Sequence, residues 1–459
     1  MRKGATGGTA PARLGLEDWA LALVLAATLL AVGGIHPIIA LLFGGASGIV
    51  LWVSTGRWGL ARRGEAPEED DATRARAKER AGTIPCLSVA FLWLAFISLL
   101  QTLPLPMRLL SFLSPSAAAI WAESLRPFGE PGPSWATLSL APEATRTEAV
   151  KWAAYAALAW VGHRAARRSL SWLAVLTLGL ALLAAGATAA HGLTGAGKLY
   201  GLYETSVSYP RWRMGPLLNA NHLSGYLSIG VFAGLGLLFE QRGKKPEVRA
   251  ALLLAIGTLA GGVVLLGSRA AIALLAVSLL GTVGVQLSRA HKERDERAKR
   301  TAWVLLAIVG VGVVLPIVGY QEEIIEGFAH KNYAKLVVAE DCVALIRDFP
   351  ACGVGRGAFE GVYFAYRSIG SFSVWTHPEN IFVQWLTEWG ILGTLVGIGL
   401  VVAAVRRGRI RRLRTVASFL GVGILVVLAQ NMVDFSLELP AVMGLVAVLA
   451  GAILSSAST

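Results

Sequence analysis

Apolar runs that approach the ~20 residues a bilayer-spanning helix needs recur along almost the whole chain. They fall at about 18–35, 37–56, 84–103, 149–162, 170–190, 219–239, 250–267, 270–288, 301–319, 380–405, 415–433 and 440–456. The fourth run is short and is expected to extend into its flanks. The pattern predicts an all-α polytopic membrane protein of about 12 transmembrane helices. The first run does not read as a cleaved signal, because its polar leader is long and a second run follows almost at once. A twelve-span carrier built from two related halves would show internal similarity, and none is visible.

Composition points the same way. Of 459 residues, 55% are hydrophobic and only 15% charged, with a mean hydropathy of +0.59; soluble chains carry about 25% charged residues. Fourteen Trp and 52 Gly suit interfacial anchoring and close helix contacts. Disorder, fibres and secreted disulfide scaffolds are excluded. The three cysteines, Cys86, Cys342 and Cys352, form no metal or redox pattern, and Cys342 and Cys352 are expected to remain unpaired.

A formal charge of +13 would suggest nucleic acid in a soluble chain. Here the placement of the charge matters more. With the N-terminus in the cytoplasm, the segments 1–17, 57–82, 163–169, 240–249, 289–300 and 406–414 face the cytoplasm and hold 29 of the 42 Lys and Arg residues. The positive-inside bias selects this orientation, so both termini are expected in the cytoplasm. The basic runs are read as topology and anionic-lipid contacts, with no nucleic-acid partner. Three parts follow: an N-terminal membrane bundle over 1–319, a large outer loop over 320–378 before the tenth span, and C-terminal membrane helices over 379–459.

Polar residues gather at the outer ends of the spans. Ionisable groups there are costly in hydrocarbon and are functional candidates by default. Arg269, in LLGSRAAIALL, stands at a tight outer turn. It suits a phosphate through its planar fork, or it snorkels to the headgroups. Asn219, Asn221 and His222 open the sixth span and read either as sugar or phosphate contacts or as a capped helix start. Arg211 and Arg213 flank Trp212 as a basic-aromatic patch. In THPENIFVQWLTEWGILG, His377 and Glu379 are candidate general bases and Asn380 a contact or a cap. Glu388 lies two helical turns further on, where a bond within the bundle is expected. Asp434 and Glu438 read as a helix-cap pair beside Pro440. The GVGRG turn at 353–357 has the flavour of a phosphate loop but lacks the strand and the Lys-Ser/Thr ending of a P-loop.

Seven segments in order resemble the O-antigen ligase/polymerase superfamily of bacterial inner-membrane glycosyltransferases. They are QTLPLPMRLLSFLSP, LSLAPEATRTEAVKWAAY, GPLLNANHLSGYL, GSRAA, RDFPACGVGRGAFEGV, HPENIFVQWLTEWGILG and VDFSLELPA. The resemblance implies a metal-independent, GT-C-like membrane fold without a cofactor. It further implies an undecaprenyl-diphosphate-linked glycan donor and, as acceptor, lipid A–core or another lipid-linked glycan. Both would be used at the periplasmic face of the inner membrane. On this pattern Arg269 holds the diphosphate, while His377 and Asn380 fall on the family's His-x-His-Asn stretch. The chain departs from that stretch at Glu379, which stands where the second His is usual and so competes with His377 as base. It departs again at Lys335, where an Arg is usual; Lys335 and Arg347 both remain candidates for the second cationic contact. A polysaccharide or lipid-linked-glycan transporter is the rival reading. It would need polar residues and broken helices at mid-membrane depth.

Overall fold

The computed structural model describes residues 14–56, 84–205, 211–240, 245–293, 334–368, 374–408 and 413–456, together with Glu296, Lys299, Arg300, Trp303 and Ala307. Helices account for eleven of the twelve apolar runs. They are α1 (Leu16–Leu30), α2 (Pro37–Thr55), α3 (Cys86–Leu100), α6 (Pro142–Arg168), α7 (Leu170–Thr194), α8 (Ala220–Glu240), α9 (Pro246–Leu266), α10 (Arg269–Glu293), α13 (Ile381–Arg407), α14 (Thr415–Gln430) and α15 (Pro440–Ser456). The run at 301–319 lies almost wholly outside the described residues. Among the described residues six helices, α2, α7, α8, α9, α10 and α13, are long and apolar enough to cross a membrane. The chain is a multi-pass membrane protein.

Two helices organise the bundle. Helix α6 is packed by α2, α3 and α15, and α8 is packed by α7, α9 and α14. Lipid tails are as apolar as leucine, so close van der Waals fit and small residues drive such contacts. Gly162 on α6 lets α15 approach so closely that a Cβ there would sit 2.0 Å from the Val448 carbonyl oxygen. The fourth run extends as expected, but further. Pro142 starts α6 with the ring at a first-turn position where no amide bond is lost. The early turns of α6 are polar and still buried, including Thr145 and Lys151, because they pack against protein.

A small second core closes one end of the bundle. Helices α4 (Met107–Leu113), α5 (Pro115–Glu123), α11 (Ala334–Asp348) and α12 (Phe359–Tyr363) contribute to it. Leu110, Ala117, Val338, Leu345, Phe349 and Phe359 form its centre. A two-residue antiparallel pairing of Leu105–Pro106 with Trp135–Ala136 ties the first of these segments to itself. At the same end His36 meets Tyr203 at 3.0 Å. The opposite end carries its own contacts: Arg168 pairs with Asp18 at 2.7 Å and Glu17 at 3.2 Å, and Ser171 bonds Glu240 at 2.7 Å. Three of the segments that charge counting assigns to one face, around Glu17, Arg168 and Glu240, therefore meet at one end. All three cysteines are free; Cys342 lies in the small core, where burial, then the charge of Asp341, pushes its thiol up to about 12.

Helix α13 is broken near its start. Gly390 adopts φ 67° and ψ −175°, which interrupts the helical ladder. The turn 353–357 fills the gap. Val354 N–H donates to the Thr387 carbonyl at 2.9 Å and Gly355 N–H to the Glu388 carbonyl at 3.1 Å. In return, Ile391 N–H donates to Pro350 at 2.8 Å. Gln101 completes the seam, donating to the carbonyls of Cys352 and Glu388, both at 2.8 Å. Broken backbone is tolerated inside a membrane protein where other protein groups satisfy it. The glycine-rich turn thus serves as a plug for a helix break, with the Val354 and Gly355 amides bonded to α13 carbonyls and the Arg356 amide to the side-chain oxygen of Gln101.

Candidate active site

The plug carries Arg356 into the bundle. Its guanidinium is 2% exposed and bonds the carboxylates of Glu388 on α13 and Glu438 in the turn before α15, with Glu148 of α6 at 3.2 Å. Trp389 lies under it, 5.1 Å from guanidinium carbon to ring centroid. Burial alone would lower the pKa of Arg356, but Glu438, Glu388 and Glu148 together raise it above its usual range. Glu148 is also bonded to Lys151 at 2.6 Å. Five charges from four chain segments thus form one buried network, in which three carboxylates face two cations. The bond expected for Glu388 is present. Glu438 is a network member, not a helix cap.

Beside the network lies an aromatic stack. The imidazole of His377 lies face to face with Phe435, with ring centroids 4.5 Å apart and planes within 10°. His222 meets the same phenyl ring edge-on, at 4.6 Å and 80°. Nε2 of His222 stands 3.0 Å from Oδ1 of Asp434, and both side chains are almost fully buried. Asp434, like Glu438, is therefore engaged across the bundle. Nδ1 of His377 is 2.9 Å from the Thr376 hydroxyl. Burial, then the charges of Lys151 and Arg356, lowers the pKa of His377 to about 3.

The start of α13 is fixed by Asn380, whose side chain accepts from the amides of Phe382 and Val383 at 2.9 and 3.1 Å and donates to the Met432 carbonyl at 2.8 Å. Asn380 is thus a cap. Glu379 just before it holds φ 55°, uncommon for a residue with a side chain. Its carboxylate pairs with Lys335, which also donates to the Val433 carbonyl at 2.7 Å. The start of α8 repeats the device: Leu218 has φ 54°, and the Asn219 side chain accepts from the Asn221 amide at 2.8 Å. Asn221 in turn offers its carbonyl to Gln430 at 2.6 Å.

The remaining candidates group elsewhere at the same end. Gly267 turns α9 into α10 with φ 70°, and a Cβ there would lie 3.0 Å from a guanidinium nitrogen of Arg213. Arg213 is thereby brought to the turn that carries Arg269, and both are exposed. Arg211 begins the short 3-10 turn Arg211–Arg213, and its side chain lies outside the described residues. Arg347 is exposed in the last turn of α11. Sequence reasoning passed over Glu148, Lys151 and Arg356 as site residues. A lysine and a glutamate three residues apart at the start of an apolar run were the available signal.

Residues 250–398 match the family model described as O-antigen ligase. The match covers about a third of the chain and supports its resemblance to the O-antigen ligase/polymerase superfamily. No curated protein and no solved structure matches it. The matched segment holds Arg269, Lys335, Arg347, Arg356, His377, Glu379, Asn380 and Glu388. Glu148, Lys151, Arg213, His222, Asp434, Phe435 and Glu438 lie outside it, contributed by helices and turns that fold onto that segment.

Proposed function

We propose that the protein transfers a glycan from an undecaprenyl-diphosphate-linked donor to a sugar hydroxyl, as an O-antigen ligase or a polysaccharide polymerase, at the periplasmic face of the bacterial inner membrane. The capped end of the bundle is then the periplasmic end, with both termini in the cytoplasm as the charge distribution favours. The observation that carries this reading is the placement at the same end of the bundle of two arginines, Arg213 and Arg269, at the α9–α10 turn, and of an imidazole, His377, that burial keeps neutral at physiological pH.

The chemistry follows from these groups. The acceptor oxygen forms a bond to the anomeric carbon, and the bond from that carbon to the phosphate oxygen breaks. The electron pair leaves on the diphosphate, where Arg269 and Arg213 offset the developing charge. The hydroxyl proton passes to His377 on Nε2, since Nδ1 is held by Thr376. Lys335 and Arg347 are the further cations available to the lipid-linked phosphates. Asn219 and Asn221 set the start of α8 and so the position of His222. Glu379, tied to Lys335, is the less suitable base.

The test is product formation by the purified protein given a lipid-diphosphate oligosaccharide, with and without a lipid A–core acceptor. Glycan-bearing product with release of the lipid diphosphate is the expected result. Transfer only in the presence of lipid A–core assigns ligase activity, and elongation without it assigns polymerase activity. Absence of both products from a folded, donor-binding protein would end the reading.

A further inference from the structure

The turn between α14 and α15 touches a different site group with almost every residue. Asn431 accepts from the Ile381 amide through its backbone carbonyl at 3.0 Å. Its side chain closes the turn on itself, donating to Ser436 Oγ at 2.8 Å and accepting from the Leu437 amide at 2.9 Å. Met432 receives Asn380, Val433 receives Lys335, Asp434 meets His222, and Glu438 holds Arg356. Phe435 stands in the middle of this series, half-buried, with one imidazole on its face and another at its edge.

Phe435 is half-buried and packs against the main core, and its two ring contacts are the geometries that aromatic quadrupoles favour. The bonds of Asn431, Ser436 and Asp434 restrain the turn that carries the phenyl ring, and His222 packs edge-on against that ring. Among the described residues, the hydrogen-bond anchor of His377 is the one hydroxyl of Thr376. We propose that Phe435 is a positioning residue, which sets the plane of the His377 imidazole for proton acceptance and is itself braced by the His222–Asp434 pair. The proposal rests on His377 being the base. Misplacement of a reacting group by about 1 Å can cost ~10²-fold in rate, so a flat support matters even where packing volume is kept.

The experiment compares Phe435→Leu, Phe435→Tyr and His377→Ala as purified full-length proteins. Leucine keeps an apolar side chain but has no face to stack on; tyrosine keeps the ring. Expected is a fall in kcat of roughly 10- to 100-fold for Phe435→Leu, with donor KM little changed, and recovery in Phe435→Tyr. A second readout is the ring-nitrogen resonance of His377 in protein carrying labelled histidine, assigned by its loss in His377→Ala. It should shift in Phe435→Leu and return in Phe435→Tyr. An inactive His377→Ala together with a wild-type kcat or an unmoved His377 resonance in Phe435→Leu overturns the positioning role alone. A fully active His377→Ala sinks the assignment of the base and the positioning role with it. A matching loss in Phe435→Tyr would show that packing at this position, and not the ring, is what matters, and would also overturn it.

Discussion

Arg356 and Glu388 form an ion pair in the interior of the bundle, at the place where α13 is broken and its backbone is completed by another part of the chain. Arg356 is 2% exposed and Glu388 is fully buried. Neither could be buried alone, because an unpaired charge in a low-dielectric interior costs several kcal/mol. The pair therefore depends on the plug being seated, and the seated plug depends on the pair. Through Glu148 and Glu438 the same guanidinium also fixes α6 and the turn that carries Asp434 and Phe435.

Removing the cation should be severe. Arg356→Met leaves three carboxylates facing a single lysine, and breaking a buried pair costs about 3–5 kcal/mol. Thermal unfolding of the detergent-solubilised protein, followed by tryptophan fluorescence, should show a large fall in midpoint. Adding Glu388→Gln to Arg356→Met should recover part of it. An unchanged midpoint in Arg356→Met would mean that the network contributes nothing to the fold.

The plug itself requires glycine. Gly353 holds φ 68°, and a Cβ there would sit 2.5 Å from the Glu388 carbonyl. The left-handed conformation alone costs a residue with a side chain about 1–2 kcal/mol, and the clash is with backbone that cannot swing aside. Gly353→Ala should therefore lower stability by more than that. Gly361→Ala, four residues beyond the plug with open space around it and no positive φ, should be close to neutral. Equal effects of the two substitutions on the unfolding midpoint would refute the plug.

These relationships also mark what could be read from the sequence. The spans were legible because hydrocarbon imposes a length and a composition on any helix that crosses it. The gathering of the segments after α3 and before α13, including 107–123 and 334–368, in one small core at one end followed from alternation of those spans. His377 and Arg269 were legible as candidates because a polar residue at the end of an apolar run stands out, and Arg213 because it flanks Trp212 in a basic-aromatic patch. The role of GVGRG was not, since phosphate-loop glycines and plug glycines look alike in sequence, and the carbonyls that this plug satisfies lie on α13, some thirty residues away. Asp434 and Glu438 read as a local cap pair because Pro440 is adjacent. Their partners, His222 and Arg356, are distant in sequence, and nothing in the local pattern reports them.

The two arginines at the α9–α10 turn are expected to act on the donor. Arg269→Ala should lower glycan transfer by ~10²–10³-fold, the usual cost of losing one donor to a developing oxyanion. Its level in the membrane should be unchanged, because the side chain is exposed. Arg269→Lys should restore activity only in part, since the charge returns without the planar fork. Arg213→Ala should change transfer in the same direction. The measurement is product per unit of membrane-inserted protein, and a fully active Arg269→Ala removes this turn from the donor site.

Glu379 separates the two candidate bases. Its carboxylate is committed to Lys335, and its φ of 55° is a conformation that glycine adopts more easily. Glu379→Gln should keep most of the activity. Glu379→Gly loses the ion pair but relieves the backbone, so its stability should stay within about 1 kcal/mol of the parent. A dead Glu379→Gln beside a near-normal His377→Ala would exchange the roles of the two residues.

The low pKa of His377 has a consequence for both stability and rate. Its folded value is about 3, lowered by burial and then by the charges of Lys151 and Arg356, whereas an unfolded histidine titrates near 6.5. The fold therefore favours the neutral ring. This contribution is complete above about 6.5 and is lost as pH falls from there towards 3. A base this weak is poorly matched to neutral pH, because efficient proton transfer wants a pKa near the working value. With the proposed diphosphate donor brought to the same end of the bundle, the added negative charge would stabilise the imidazolium and raise this pKa. Titration of labelled His377 should show a pKa well below 6.5 without donor and a higher one with a lipid-diphosphate analogue bound. In Arg269→Ala, which should hold the diphosphate poorly, the rise should shrink. If the analogue binds and the His377 titration does not move, the imidazole and the diphosphate do not share a site.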